Sequence, residues 1–442
     1  MTEYFWPIAM LVGLVAGIFS GYPVAFVLSG IGIVFAFMAG VPILFLSTGV
    51  SRIYSGILTN WLLIAIPLFV FMGLMLERSG VAERLLRSLA ALFGRLPGGY
   101  AFAVAIIGVV MAASTGIIGA SVVLMGMMAL PAMTQARYDP RISTGLIAAS
   151  GTLGILIPPS IMLIVLGDQL RISVGDLFVG AIGPGLLLAG LYFVYLIGIA
   201  IFQPHRMPAP NHIPTESARA AVVGLARDLL VPIVLIASVL GTIITGIATP
   251  TEAAAIGAAG ALILALASGK LDFATLRSAL RDTTKTTAMI IFVMIGATIF
   301  SVIFRRLGGD EMVIHAFDRL GTDPYVVLFA IMALVFLLGF FLDWVEIALV
   351  VVPLVAPVVA SLDFGMSQNQ TLTWFAIALA VNMQTSFLTP PFGYALFYLR
   401  GVAPGISIGT IYRGIIPFVL LQVAALVLLI LFPQISLSLI SQ

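Results

Sequence analysis

Between Phe178 and Phe202 the chain carries no charged residue. About 20 consecutive, mainly apolar residues are what a helix needs to cross the hydrocarbon of a bilayer. Comparable runs extend from Phe5 to Phe19, Val24 to Ala39, Ile57 to Leu76, Leu229 to Ile247, Thr251 to Ala267, Thr286 to Phe304 and Ile415 to Phe432. These runs are apolar all round, which excludes a barrel of alternating strands. Only 9% of the residues are charged, against about 25% in an ordinary soluble domain, so the lipid bilayer is the solvent for most of the chain. A formal net charge of +2 offers no basic face for nucleic acid. There is no Cys, which removes disulfides, zinc thiolates and iron–sulfur clusters. His205, His212 and His315 are too few and scattered for a metal cage. No phosphate-binding loop, GxSxG or HExxH motif is present. Neither an enzyme, an organic cofactor nor an ATP-driven machine is therefore expected. The start, MTEYFWP, lacks a basic leader region and reads as part of a retained span.

Residues 98–168 and 325–400 are equally apolar but interrupted. GVVMAASTGIIGASVVLMG carries small and hydroxyl residues at its centre, and ALVFLLGFFLDWVEIALVVVP carries Asp343 and Glu346 there. Each stretch is followed by a double proline, Pro158-Pro159 in GTLGILIPPSIML and Pro390-Pro391 in QTSFLTPPFGYAL. Proline removes a helical hydrogen bond and disfavours helix in the residue before it. Unwound backbone at membrane depth persists only where protein or water satisfies it. The four interruptions are therefore the candidate site.

The interruptions belong to an internal repeat. WPIAMLVGLVAGIFSGYP (6–23) parallels VPIVLIASVLGTIITGIATP (231–250), FVFMG (69–73) parallels FVMIG (292–296), and IPPS parallels TPPF. AIGPGLLLAGLYF (181–193) parallels YRGIIPFVLLQVAAL (412–426), and a polar stretch after Gln203 links the halves. Arg84, Arg87, Arg95, Arg137 and Arg141 flank the first broken hairpin, whereas Asp323 and Asp363 flank the second. Because Lys and Arg accumulate on the cytoplasmic side, the first hairpin opens inward and the second outward. Inverted repeats with helices broken at matching positions are the sequence pointer to a secondary transporter.

Charges inside spans are costly and are functional candidates. Asp343 at the second tip reads either as a cation ligand or as the N-cap of a helix starting at Trp344. DWVE also has the spacing of a capping box, with Glu346 at its third position. Glu252 follows ATPT, where Thr249 or Thr251 can cap and an acid suits the helix dipole. At the first tip, the hydroxyls and exposed carbonyls of Ser114-Thr115-Gly116 through Gly119-Ala120-Ser121 suit a hard cation such as Na⁺. The helix N-termini nearby suit an anionic group. The plainer reading is tight small-residue packing. The same two readings apply to Ser150, Gly151 and Thr152, and to Gln384, Thr385, Ser386 and Thr389. Arg305 and Arg306 read as an interface anchor.

Several segments together resemble one known family. GYPVAFVLSGIG, IPLFVFMGLMLERSG, ASTGIIGASVVLMGMMALPAM, GTLGILIPPSIMLIVLGDQ, ATPTEAAAIGAAGAL, FLLGFFLDWVEIALVVVPLVAPV and NMQTSFLTPPFGYALFYLRGVAP are similar to the large membrane subunit of tripartite ATP-independent periplasmic (TRAP) transporters. The likeness covers nearly the whole chain. It implies an all-α, multi-pass protein of the bacterial inner membrane, with two re-entrant hairpins, two broken helices and an elevator-type motion. It also implies sodium-coupled symport of an organic anion such as a C4-dicarboxylate or sialic acid. A periplasmic substrate-binding protein would deliver the anion, and a separate small four-helix membrane subunit would brace the large one. One sodium site would draw on Ser114, Thr115, Gly116, Gly151 and Thr152, the other on Gly339, Asp343, Thr385 and Thr389. Substrate would sit between them, near Ser121, Pro158, Pro159, Ser160, Ser386, Pro390 and Pro391.

The expected division is scaffold and arm helices in 1–97, the first hairpin and broken helix in 98–168, and a scaffold helix in 169–202. A polar linker then occupies 203–228, and scaffold and arm helices fill 229–322. The second hairpin and broken helix occupy 323–400, and a C-terminal scaffold helix fills 401–442. A proton-coupled symporter of the same fold, using Asp343, Glu346 or Glu252, is the alternative. A channel or membrane scaffold protein is the reading from another class.

Overall fold

The computed structural model describes residues 4–93, 96–115, 118–209, 218–318, 323–390 and 393–440. Among these residues every regular element is helical, and nine helices are long and apolar enough to span a membrane. The first half runs α1 (Phe5–Phe19), α2 (Val24–Met38), α3 (Ile43–Ile53), α4 (Ala65–Arg78), α5 (Val81–Phe93), α6 (Gly99–Thr115), α7 (Ile118–Gln135), α8 (Pro140–Thr152), α9 (Ile161–Leu170) and α10 (Val174–Phe202). The second runs α11 (Ala218–Ile244), α12 (Pro250–Ala267), α13 (Phe273–Arg306), α14 (Gly309–Asp318), α15 (Pro324–Leu338), α16 (Trp344–Glu346), α17 (Val352–Ser361), α18 (Gln368–Leu388), α19 (Tyr394–Val402), α20 (Ile408–Leu431) and α21 (Gln434–Leu437).

Local chemistry explains the helix starts. Asp139, Thr249 and Asp323 each accept a hydrogen bond from a backbone N–H of the first turn, and each precedes a proline at the first helical position. Proline suits that position because its missing N–H has no intrahelical partner to lose. Thr249 and Glu252 complete a capping box, so Glu252 is a helix-start acid and Thr249 is the cap.

The expected span boundaries shift in three places. The run from Ile57 to Leu76 is not one helix: a π-turn covers Tyr54–Leu58 and a 3-10 turn Trp61–Ile64 before α4 begins. Asn60 is extended there and accepts from the Leu62 N–H, which caps the second turn and stops the first. The run expected from Thr286 begins at Phe273, because Asp272 caps a polar extension of α13. The 203–228 linker is shorter than expected, since ARAAVVGLARD is already helical from Ala218.

Both hairpins close on themselves. At the base of the first, the Gly98 N–H donates to Met207 O at 2.9 Å, the Tyr100 N–H donates to the Tyr138 hydroxyl, and Asp139 pairs with Arg206 at 2.7 Å. Burial pushes the Asp139 carboxyl upward, but the Arg141 backbone N–H and the Arg206 guanidinium outweigh it and hold the group below its ordinary range. At the base of the second hairpin, Tyr325 meets Phe364 edge-on with ring centroids 5.3 Å apart. Each hairpin thus enters and leaves on one side.

The helices pack in two groups. In the first, α2 lies on α13, where a Cβ added at Gly296 would collide with Ala25 O. Arg78 of α4 pairs with Asp282 of α13, and Asp228 of α11 accepts from Ser88 of α5 at 2.9 Å. In the second group, α8 lies so close to α20 that a Cβ at Gly145 would collide with Gly414 O. The Trp374 indole N–H of α18 donates to Leu429 O of α20 at 2.9 Å, and Gln422 of α20 donates to the Tyr192 hydroxyl of α10 at 2.8 Å. Burial follows polarity: α18 has a mean hydropathy of only 1.2 and is 94% buried, while α20 has 2.8 and is 39% buried. A span that carries Asn382, Gln384, Thr385 and Ser386 is kept from lipid by the helices around it.

Candidate functional site

The two double-proline interruptions are built differently. α8 tightens into a 3-10 turn at Leu153–Ile155 and the chain stays irregular until Ser160, which precedes α9. The Ser160 hydroxyl donates to Ile155 O at 2.6 Å and so satisfies one carbonyl the turn leaves free. α18 instead stays helical to Leu388, Thr389 is extended, and α19 starts after Gly393 at φ 48°. That left-handed conformation favours glycine.

The broken helices cross at equivalent points of the repeat. The Gln384 side-chain amide donates to the Thr152 hydroxyl at 3.3 Å, and each residue stands the same interval before its double proline. Gln384 Oε1 and the hydroxyl of Ser150, two residues before Thr152, are buried without a hydrogen-bond partner among the described residues. The hydroxyls of Thr152, Thr385, Ser386 and Thr389 donate to Ala149, Val381, Met383 and Thr385 carbonyls respectively. A hydroxyl whose proton is committed to a carbonyl presents only lone pairs outward.

The tips meet α13 at one cavity of about 370 Å³. Gly119 and Ala120 line it from the first tip, Asp343 and Trp344 from the second. Ile161 follows the first double proline, and Tyr394 and Tyr398 follow the second. Thr286, Met289 and Ile290 of α13 close the remaining wall. Asp343 Oδ1 accepts from the Trp344 N–H at 2.8 Å, so the aspartate caps α16 and lines the cavity at once. Glu346 Oε2 is buried and unpartnered among the described residues.

The sequence candidates fall into three sets. Asp343 lines the cavity directly. Gly151, Thr152, Thr385, Ser386, Pro158, Pro159 and Ser160 are buried around the crossing of the broken helices, and Gly339 packs so tightly on Ser386 that a Cβ there would collide with its hydroxyl. Ser121 is buried in α7 but does not line the cavity, and Thr389 and Pro390 are half-buried at the second break. Gly116 and Pro391 lie outside the described residues, as do the side chains of Ser114 and Thr115.

A two-fold repeat of broken helices around one cavity is a transporter architecture, and comparison with known proteins fixes which. The model of the DctM component of the tripartite ATP-independent periplasmic transporter matches residues 11–435. The chain belongs to this family. Among its relatives is the C4-dicarboxylate TRAP transporter large permease protein of Pseudomonas aeruginosa, 30% identical over 86% of each chain. Another is the sialic acid TRAP transporter large permease protein of Vibrio cholerae, 29% identical over 98% of each. The crystal structure of the YdaH transporter of Alcanivorax borkumensis superposes with a TM-score of 0.57 at 19% identity, covering 89% of this chain and 90% of that one. That likeness concerns the fold alone. The DctM relatives are named as permeases, not enzymes. With nine candidate spans among the described residues, this DctM component is a multi-pass protein of the bacterial inner membrane and belongs to a secondary transport system.

Sequence reasoning missed part of the cavity wall in this DctM component. Tyr394 and Tyr398 stand four apart just after the second break, a spacing that puts both on one helix face. That signal was present in YALFY. No comparable signal marked Thr286, Met289 and Ile290, which lie inside an ordinary apolar run.

Proposed function

We propose that this DctM component carries out sodium-coupled uptake of a small organic anion, a carboxylate of the C4-dicarboxylate or sialic acid kind. The observation that carries the proposal is the convergence of both tips, both post-proline helices and scaffold helix α13 on one cavity edged by Asp343. Three features support sodium. The hydroxyls around the crossing hold lone pairs outward, Gln384 Oε1 and Glu346 Oε2 lack partners, and Asp343 adds a carboxylate. Such hard oxygens suit a small hard cation, and unwound backbone supplies further carbonyls. Asp343, Thr385, Thr389 and Gly339 would hold one ion; Thr152, Gly151 and the 114–116 segment would hold the other. Substrate would lie between, against Ser386, Ser121 and the residues around Pro158, Pro159, Ser160, Pro390 and Pro391. The names of the relatives support the substrate class.

Each sodium ion falling through 100 mV and a tenfold gradient contributes about 3.7 kcal/mol. That drive needs the site to face one side at a time. We therefore assign the second packing group, α6–α10 with α15–α20, as the moving body of an elevator. The first group, with α1, α2, α4, α5 and α11–α13, is the scaffold. This division puts α10 and α20 with the hairpins rather than with the scaffold, because Gly145 and Gly414 bring α8 and α20 too close to slide past each other. A small membrane subunit and a periplasmic substrate-binding protein complete the system. The test is uptake of labelled carboxylic acids into proteoliposomes that hold the chain with both partners. Uptake should require an inward sodium gradient. Equal uptake when K⁺ replaces Na⁺, or uptake driven by a pH gradient alone, would overturn the sodium assignment.

A further inference from the structure

A second and larger cavity, about 710 Å³, opens between the two packing groups. α3, the π-turn and the outer third of α13 wall it on the scaffold side; the end of α9 and the returning leg α17 wall it on the other. Its chemistry is carried by Arg52, Arg171, Arg305, Asp168, Asn60 and Ser301.

Its position is outside. The Arg-rich base of the first hairpin marks the inner side, and α9 runs from the mid-membrane break away from that base to Arg171. Pro353, Ala356 and Pro357 of the cavity lie on the leg that returns to Asp363, at the base of the outward-opening hairpin. Cations on this side run against the orienting rule. Among the described residues, the Lys and Arg at the outer ends are Arg52, Arg171, Arg305 and Arg306. Arg52, Arg171 and Arg305 line this cavity, and Arg306 joins Arg52 and Arg305 around an adjoining one of about 570 Å³.

The charges are only partly neutralised inside the protein. Asp168 is occupied: Oδ1 accepts from the Asn60 amide at 2.6 Å and Oδ2 from the Gln169 amide at 2.9 Å. Arg305 is held by Pro353 O at 3.4 Å and lies 3.6 Å from Asp310. Arg171 faces Asp168 without a hydrogen bond to it. Arg52 makes no hydrogen bond or ion pair among the described residues. Three guanidiniums therefore stand against one lining carboxylate. Guanidinium pairs with a carboxylate through two parallel hydrogen bonds, and the volume lies within the range of small-ligand pockets.

The cavity also lies close to the deep one along α13. Met294, Ala297, Thr298, Ser301 and Arg305 line it along α13, and Thr286, Met289 and Ile290 of the same helix line the deep cavity. One helical turn, about 6 Å, separates Ile290 from Met294, and both are buried. We infer that the outer cavity is a receiving site for a small organic anion, which Arg52 and Arg171 hold by its carboxylate before it reaches the deep cavity. The onward path rests on the transport reading above; the anion site itself does not.

The cysteine-free chain permits a direct test. Ser301→Cys is made in the full chain, in nanodiscs of zwitterionic lipid, in potassium buffer without sodium. Its reaction rates with an anionic and a cationic methanethiosulfonate reagent are compared with those of a free thiol. The ratio should favour the anionic reagent by about tenfold over the free thiol, as a local potential of several kT requires. Adding Arg52→Gln and Arg171→Gln should return the ratio to the free-thiol value, and millimolar succinate should slow the anionic reagent. A ratio no higher than the free thiol's, or one that survives the double substitution, overturns the inference. So does protection by phosphatidylglycerol in the nanodisc but not by succinate, which would make this a lipid-phosphate site. Ser55→Cys, on the opposite wall, repeats the test should Ser301→Cys fail to fold. Because sodium is absent throughout, failure of sodium coupling leaves this result unchanged.

Discussion

The first tip offers Ser114, Thr115 and Gly116 and no acid, whereas the second holds Asp343 and Glu346 within one turn of each other. Both hairpins are closed at the base by an aromatic pair, Tyr100 with Tyr138 and Tyr325 with Phe364, but among the described residues only the first is also tied by an ion pair, from Asp139 to Arg206 beyond α10. α8 packs on α20 backbone to backbone, while its counterpart α18 meets α10 through the flexible end of Ile377 beside Gly180. The halves share broken helices and a symmetric crossing at Thr152 and Gln384, yet share almost none of the side chains that do work there. Duplication supplies the geometry of a mid-membrane break. The tip acids stand on one copy only, beside Trp344 of the second tip.

The comparison can be broken where packing differs most. Gly145→Ala drives a Cβ into the Gly414 carbonyl, with backbone on both sides and no side chain free to yield. It should cost about 3 kcal/mol or more and lower the folded yield. Gly180→Ala meets the yielding end of Ile377 at 2.7 Å and Ser436 O only at 3.0 Å, and should cost about 1–2 kcal/mol. Melting of the purified protein followed by intrinsic fluorescence compares the two, and equal losses would mean the halves pack alike.

The next largest effect concerns the tips. Asn caps a helix about as well as Asp, so Asp343→Asn keeps the turn and removes only the charge. Uptake should fall about tenfold to a hundredfold with a raised sodium midpoint, on the scale of a lost bond to an ion. An unchanged midpoint would make Asp343 a cap alone. At the crossing, Gln384→Met deletes a buried carbonyl with no partner among the described residues together with the long 3.3 Å bond to Thr152, so the two effects offset and stability should change by less than about 1 kcal/mol. The same variant should lower sodium-dependent uptake severalfold. Reduced melting with intact uptake would make Gln384 purely structural.

The smallest effect separates the hairpin bases. Asp139 titrates below its ordinary range when folded, so its pairing stabilises the protein above the unfolded value and is lost as pH falls through the folded one. Arg206→Gln should cost up to about 1 kcal/mol at neutral pH. Its difference from the parent should shrink as pH falls through the lowered folded value of Asp139. The second base, built from Tyr325 and Phe364, should show no such pH dependence when Phe364→Leu is melted alongside.

The membrane class, the inverted repeat and both double-proline breaks were legible because apolar length and proline position are written in the chain itself. The role of Asp343 as a cap was equally legible, since capping is a matter of neighbours in sequence. The inner start of α13 was not, because apolar length marks where lipid begins and not where a helix begins. The cavity wall at Thr286, Met289 and Ile290 and the crossing bond from Gln384 to Thr152 depend on how distant helices meet. The close approach of α8 to α20 escaped for the same reason: Gly145 and Gly414 resemble any other glycine in a span.

Binding of ²²Na⁺ to the purified chain is the direct measure of sodium coupling. Saturable binding is expected that K⁺ does not displace, that an accepted organic acid strengthens and that Asp343→Asn weakens about tenfold or more. Absence of saturable sodium binding, or binding that Asp343→Asn leaves untouched, would contradict that coupling.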